Sequence, residues 1–230
     1  MIDAAQLAAN WAAVRRQVDE ACRAAGRNPA EVTVLPVSKT FGPEAVRAAM
    51  ALGLHRFGEN KVQEIRDKAA ALADATIEWV VIGHLQTNKA KDVARLASEV
   101  QSLDRLELAE ALHRRLEMEG RSLDVLVQVK TAREESKSGL PADDLPTFLE
   151  RLQAYPTLRV RGLMTLATLS DDAAEVRACF RQLRELRDRS AAAGHDLPRL
   201  SMGMSDDFPL AIAEGASEVR VGTAIFGRRS

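Results

Sequence analysis

Cysteine is nearly absent from this chain of 230 residues: Cys22 and Cys179 stand far apart in helical patterns, with no Cys-x-x-Cys pair. That spacing excludes a disulfide scaffold and a structural zinc site, and both residues read as reduced packing groups. No stretch approaches the roughly 18 consecutive apolar residues a membrane span needs. The start, Met1-Ile2-Asp3-Ala4, lacks the basic-then-apolar order of a secretory signal, so the expected location is the cytoplasm. Charge of one sign is missing too. Thirty-two Lys and Arg against 33 Asp and Glu leave a net charge of −1, with no global field to hold nucleic acid or an acidic membrane. No linker-like tract or fixed-period repeat divides the sequence, and a single domain over 1–230 is expected.

What is present is an alternation. Short β-branched runs at Val32–Val37, Leu54–Phe57, Trp79–Ile82, Glu99–Ser102, Val125–Val129, Val160–Met164, Arg199–Met202 and Glu218–Gly222 read as eight strands. Helical spacing fills the intervals near 43–53, 60–73, 87–97, 104–119, 142–154, 171–193 and 206–214, and an extra helix near 3–26 precedes the first strand. Pro43-Glu44 and Asp206-Asp207 suit first turns, and Asp104 is placed to cap its helix. Eight strands with crossover helices in 230 residues, close to the roughly 250 typical of such barrels, predict an α/β fold, a single (β/α)8 TIM barrel with an extra N-terminal helix. The runner-up, an open doubly wound sheet, normally carries a Gly-rich dinucleotide loop after its first strand, and none is there.

In a barrel the working face lies at the carboxyl ends of the strands. Strand 1 finishes in Ser38-Lys39-Thr40 and so delivers an amine to the mouth. Lys39 is either a solvated strand-end lysine or, with its proton lost, a nucleophile toward an aldehyde. Strands 7 and 8 end in small, donor-rich segments, Ser201-Met202-Gly203-Met204-Ser205 and Gly222-Thr223-Ala224. These make ordinary turns or, at the place where barrels often hold phosphate, an anion nest. Parity turns Arg220 inward with Gly222, facing either a buried carboxylate such as Glu218 or Glu59, or an acceptor atom of a ligand.

These residues resemble a known family, the pyridoxal phosphate homeostasis proteins, a (β/α)8 group similar to the N-terminal domain of alanine racemase. The resemblance spans the chain. It is carried by Val37-Ser38-Lys39-Thr40, Phe57-Gly58-Glu59-Asn60, Ile82-Gly83-His84-Leu85-Gln86, Glu135-Ser136-Lys137-Ser138-Gly139, Gly162-Leu163-Met164, Leu200-Ser201-Met202-Gly203-Met204-Ser205-Asp206 and Arg220-Val221-Gly222-Thr223-Ala224-Ile225-Phe226-Gly227. Lys130 departs from the family pattern, which has Asn there in many members. The resemblance implies pyridoxal 5′-phosphate as cofactor, Lys39 as its Schiff-base lysine, Ser201, Gly222 and Thr223 as phosphate holders, and Arg220 opposite the pyridine nitrogen. Asn60, His84 and Met164 would neighbour the ring, with Met202 in the same cofactor-binding set.

A cation opposite the pyridine nitrogen disfavours its protonation and weakens the ring as an electron sink. The only tyrosine, Tyr155, precedes strand 6 and falls on the face away from Lys39, where it cannot serve as a second base. Racemases of this fold carry a further β domain, whereas eight residues follow Gly222 here, so an open site is expected. The resemblance and these residues therefore point to a carrier taking part in intracellular cofactor homeostasis by buffering or delivery, a monomer, with pyridoxal-phosphate-dependent apoenzymes as further partners. The alternatives are an amino-acid racemase or weak aminotransferase using His84 or water, and an aldolase whose Schiff-base lysine is Lys39. Arginines 177, 181, 184, 187 and 189 on helix 171–193 interleave with Glu175, Glu185 and Asp188 and read as a solvated face. The N-terminal helix, with Trp11, Val14 and Val18 at helical spacing, is expected to cover the base of the barrel.

Overall fold

The computed structural model describes residues 3–132 and 138–227. The Glu135-Ser136-Lys137 part of the motif named above lies outside the described residues. Eight parallel strands make the barrel: β1 (Thr33–Pro36), β2 (Arg56–Glu59), β3 (Glu78–Val81), β4 (Ala97–Leu103), β5 (Leu123–Lys130), β6 (Leu158–Met164), β7 (Arg199–Ser201) and β8 (Glu218–Val221). They pair in the order β1-β8-β7-β6-β5-β4-β3-β2, and a single parallel bridge from Val37 to Gly58 joins the two ends of that series. A sheet whose ends meet is a barrel, and the doubly wound alternative is excluded. The two-residue strand Leu140–Pro141 pairs outside this path with β5.

The helices are α1 (Ala4–Ala24), α2 (Pro43–Met50), α3 (Val62–Ala71), α4 (Ala90–Leu96), α5 (Leu106–Glu119), α6 (Leu145–Leu152), α7 (Ala173–Ala192), α8 (Phe208–Ala213) and α9 (Thr223–Phe226). Helix α1 starts where the Asp3 carboxylate accepts the Ala5 N–H at 3.0 Å. Its buried stripe, Leu7, Val14, Val18 and Cys22, recurs at helical spacing. That stripe packs on α2, α8 and α9, and Asn10 Nδ2 donates to the Ile225 carbonyl at 3.0 Å. Helix α1 thus takes a place in the outer ring beside a final helix only four residues long, and does not cover the base as expected. Asp104 also differs from expectation: α5 is capped at Arg105 without a side-chain bond, and the Asp104 carboxylate accepts from the Arg105 guanidinium at 2.7 Å.

Strand β2 lies two residues later than its apolar run suggests, because Arg56 and Glu59 are strand residues with buried partners. Arg56 reaches Glu218 at 2.6 Å and Glu99 at 3.0 Å inside the barrel. Arg199 joins the same two carboxylates at 2.9 and 2.7 Å, and Gln101 donates to both. Charge therefore fills the base of the barrel, while Leu35, Val80, Leu126 and Met164 are buried without belonging to the large apolar cluster between strands and helices. Burial raises the Glu218 carboxyl, but Arg56 and Arg199 more than offset that, and it ends below the usual carboxylate range. Cys22 and Cys179 are free and buried. Among the described residues, no helix is long and apolar enough to cross a membrane.

Candidate functional site

Past the end of β1 the chain makes a tight turn closed by the Phe41 N–H on the Ser38 carbonyl at 3.1 Å. Lys39 is its first corner and Thr40 its second. Thr40 has φ of +72°, which a β-branched residue adopts only when its surroundings force it. Such a turn normally carries glycine at that corner. The Thr40 N–H is held by the Glu64 carboxylate at 2.5 Å. Lys39 itself is exposed, and its amine has no hydrogen-bond or ion-pair partner among the described residues.

Lys39 lines a cavity of about 560 Å³ at the carboxyl ends of the strands, shared with Asn60, His84, Arg220, Gly222 and Thr223. That volume lies within the range of small-molecule sites. Glycine at position 83 lets the end of β3 come close, since a Cβ there would collide with the Asn60 carbonyl. Asn60 and His84 are thereby set side by side on one wall. The His84 ring is 53% exposed, with Nδ1 3.9 Å from the Asp104 carboxylate. On the facing wall the chain after β7 turns at Gly203, whose φ of +94° and whose contact with Ala211, 2.6 Å from a built Cβ, leave no room for a side chain. This turn brings Ser205, Asp206 and Asp207 to the wall. The Asp207 carboxylate accepts the Met204 N–H at 2.5 Å, and burial raises its pKa.

Arg220 forms the floor. It is 3% exposed and forms no ion pair among the described residues: Nη1 donates to Ser201 Oγ and Nη2 to the Thr165 carbonyl, both at 2.8 Å. Glu218 belongs to Arg56 and Arg199, and Glu59 to Lys68, so neither carboxylate considered from sequence pairs with it. Burial pushes its pKa down to about 10, with Glu218 and Asp207 opposing, so it remains a cation at neutral pH.

Three expected site residues are set back from the wall. Ser201 is fully buried, and its hydroxyl is engaged by Arg220 and by Gln101 Oε1 at 2.7 Å. Met202 packs in the apolar layer between strands and helices. Met164 is buried opposite Ser201 in the register of β6 and β7. Conversely, Gln128 and the run Leu166–Leu169 line the cavity without having been singled out. Inward parity at the end of β5 marks Gln128; nothing in the loop sequence marks the others. Among the described residues, no group of three His, Cys, Asp or Glu side chains is arranged to hold a metal.

Residues 2–230 match the family model described as alanine racemase, N-terminal domain. The chain is 44% identical over 223 residues to the pyridoxal phosphate homeostasis protein of Pseudomonas aeruginosa, covering 97% of this chain and 96% of that one. It is 42% identical over 217 residues to the protein of the same name from Aquifex aeolicus, with 94% and 95% covered. Among solved structures it resembles PipY of Synechococcus elongatus with pyridoxal phosphate bound, at TM-score 0.85 and 38% identity over 96% of this chain and 100% of that one. Alanine racemase of Streptomyces coelicolor shares the fold at TM-score 0.74 and 19% identity, covering 99% of this chain and 59% of the racemase. Matched along nearly its whole length, the chain belongs to the pyridoxal phosphate homeostasis protein family, on the fold of the alanine racemase N-terminal domain.

Proposed function

We propose that this chain binds pyridoxal 5′-phosphate through Lys39 and serves the intracellular balance of that cofactor by buffering or delivery, without robust catalysis of its own. One observation carries the reading: the Lys39 amine, without a partner among the described residues, the buried Arg220 guanidinium and the Gly222–Thr223 corner wall the same cavity. A flat aromatic aldehyde with one phosphate fits that set of groups. When bound it supplies an electrophilic carbonyl carbon, with which a lysine amine condenses as one water leaves.

The chain's own residues supply the rest. Lys39 offers the amine from its turn. Gly222, Thr223 and Ser205 offer N–H and hydroxyl donors for phosphate oxygens. Ser201, assigned to the phosphate by the family resemblance, acts in this reading by holding the Arg220 guanidinium. Arg220, a buried cation on the cavity floor, would disfavour protonation of a pyridine nitrogen held against it and so keep the electron sink weak. Asn60 and His84, on the cavity wall, would neighbour the ring, with Met164 and Met202 behind the wall. We place the protein in the cytoplasm as a monomer that hands its cofactor to apoenzymes.

The test is a visible spectrum of the purified chain with pyridoxal phosphate, then borohydride reduction and peptide mapping. The expected result is a new absorption band and a reduced adduct on Lys39, lost in Lys39→Ala, which retains weak phosphate-dependent binding. No band, or an adduct on Lys89, refutes the proposal. A second reading, an amino-acid racemase, draws on His84, which lines the same cavity beside Asp104. Tyr155 is no candidate there, since it packs against His113 with ring centroids 5.6 Å apart. Deuterium entering the Cα of alanine in heavy water, and ceasing in His84→Ala, would establish that reading instead.

A further inference from the structure

A second lysine lies directly beneath the first. Lys68, on α3, is 4% exposed. Its amine donates to the Ser38 carbonyl at 2.8 Å, meets Glu59 Oε1 at 2.5 Å, and lies 3.5 Å from Glu64 Oε2. Glu59 Oε1 also accepts the Ser38 hydroxyl at 2.6 Å, and Glu64 Oε2 accepts the Thr40 N–H at 2.5 Å. The residues on both sides of Lys39 are therefore tied to one acid–lysine–acid cluster, Ser38 through side chain and carbonyl, Thr40 through its N–H.

Stability alone does not account for this cluster. Buried ion pairs contribute little net stability compared with apolar packing of the same volume. Here the second Glu59 oxygen is buried with no hydrogen-bond partner among the described residues, and burial raises its carboxyl pKa against the pull of Lys68 and Ser38. The cluster also sits under the one non-glycine residue among those described with positive φ, Thr40. A carboxylate on the Thr40 N–H and an ammonium on the preceding carbonyl fix the two peptide groups that orient the Lys39 side chain.

We propose that Lys68, Glu59 and Glu64 are positioning residues that hold the Lys39 turn in its left-handed corner and so aim the Lys39 amine into the cavity. This rests on Lys39 being the covalent attachment point. None of the three lines that cavity, so their removal acts on the amine's direction and not on the remaining walls.

The experiment compares two ligands on wild type, Lys68→Met and Glu64→Ala. Pyridoxal 5′-phosphate reports covalent attachment, by absorbance and borohydride trapping. Pyridoxine 5′-phosphate, with an alcohol in place of the aldehyde, reports non-covalent binding alone. In both variants the rate of adduct formation is expected to fall tenfold or more, while the Kd for pyridoxine 5′-phosphate moves less than twofold. Replacing the strained residue, as Glu64→Ala/Thr40→Gly, is expected to recover part of the lost rate, because glycine adopts the corner without help. Glu64 is partly exposed, so its variant decides the matter if Lys68→Met fails to fold.

A readout without ligand accompanies these. Amide hydrogen exchange at Thr40 in the cofactor-free chain should accelerate at least tenfold in Glu64→Ala. Unchanged exchange at Thr40, an unchanged adduct rate, or parallel loss of both ligands overturns the positioning role. Failure of wild type to form any adduct at Lys39 overturns instead the attachment on which the proposal rests, whatever the exchange result.

Discussion

The charges at the base of the barrel and the cations that line the cavity at its mouth are held in opposite ways. At the base, Arg56 and Arg199 face Glu99 and Glu218 in a closed square, with Gln101 donating to both acids. At the mouth, Arg220 is more deeply buried than Arg56 or Arg199 but holds only a hydroxyl and a carbonyl, and the Lys39 amine holds nothing described. Asp207, the less exposed of the two acids on that wall, is committed to the Met204 N–H. A cation kept from water without a carboxylate is costly unless something else supplies an acceptor. Cations are neutralised where the barrel is structural and left open where a ligand with acceptor atoms is to bind.

The largest effect is expected at the base. Glu218→Ala leaves Arg56 and Arg199 facing one acid and should cost about 3–5 kcal/mol in denaturant unfolding. Ligand affinity per folded molecule should stay unchanged. Because the native pKa of Glu218 lies below its unfolded value, the unfolded chain binds more protons as pH falls. Stability from this acid is therefore full above the ordinary carboxylate pKa and lost as pH drops through the native one. Glu218→Gln should flatten that acid limb.

At the mouth the pattern reverses. Arg220→Met removes a cation with no ion pair among the described residues, so stability should move by under about 1.5 kcal/mol, lost hydrogen bonds being offset by relief of desolvation. The bound chromophore should shift toward a protonated pyridine, read by absorbance or by nitrogen NMR of labelled cofactor. A stability loss as large as that of Glu218→Ala would erase the contrast between the two ends. The smallest effect is expected from Thr223→Val, which should weaken cofactor binding by about 1 kcal/mol while leaving covalent attachment intact.

Much of this was readable from strand ends and parity. Lys39, Arg220, Gly222 and Thr223 stand at or next to the ends of the first and last of eight strands that the sequence marks, and the cavity joins all four. Strand β2 starts two residues after its apolar run, because Arg56 and Glu59 look like exterior positions until their partners on β4, β8 and α3 are known. Ser201 reads from sequence as a phosphate holder, and a serine at a strand end does not reveal that Gln101, a hundred residues earlier, accepts its proton in the cofactor-free chain. Thr40 carries no conformational signal at all. Its left-handed corner depends on Glu64, one helix away, and no local pattern records such a contact.

A crystal structure of the chain soaked with pyridoxal 5′-phosphate puts the account to its most direct trial. The expected density runs unbroken from Lys39 Nζ to a phosphate seated against Gly222 and Thr223, with the pyridine nitrogen above Arg220. Density detached from Lys39, or a phosphate lodged among Arg177, Arg181 and Arg184 on the outer helices, would contradict it.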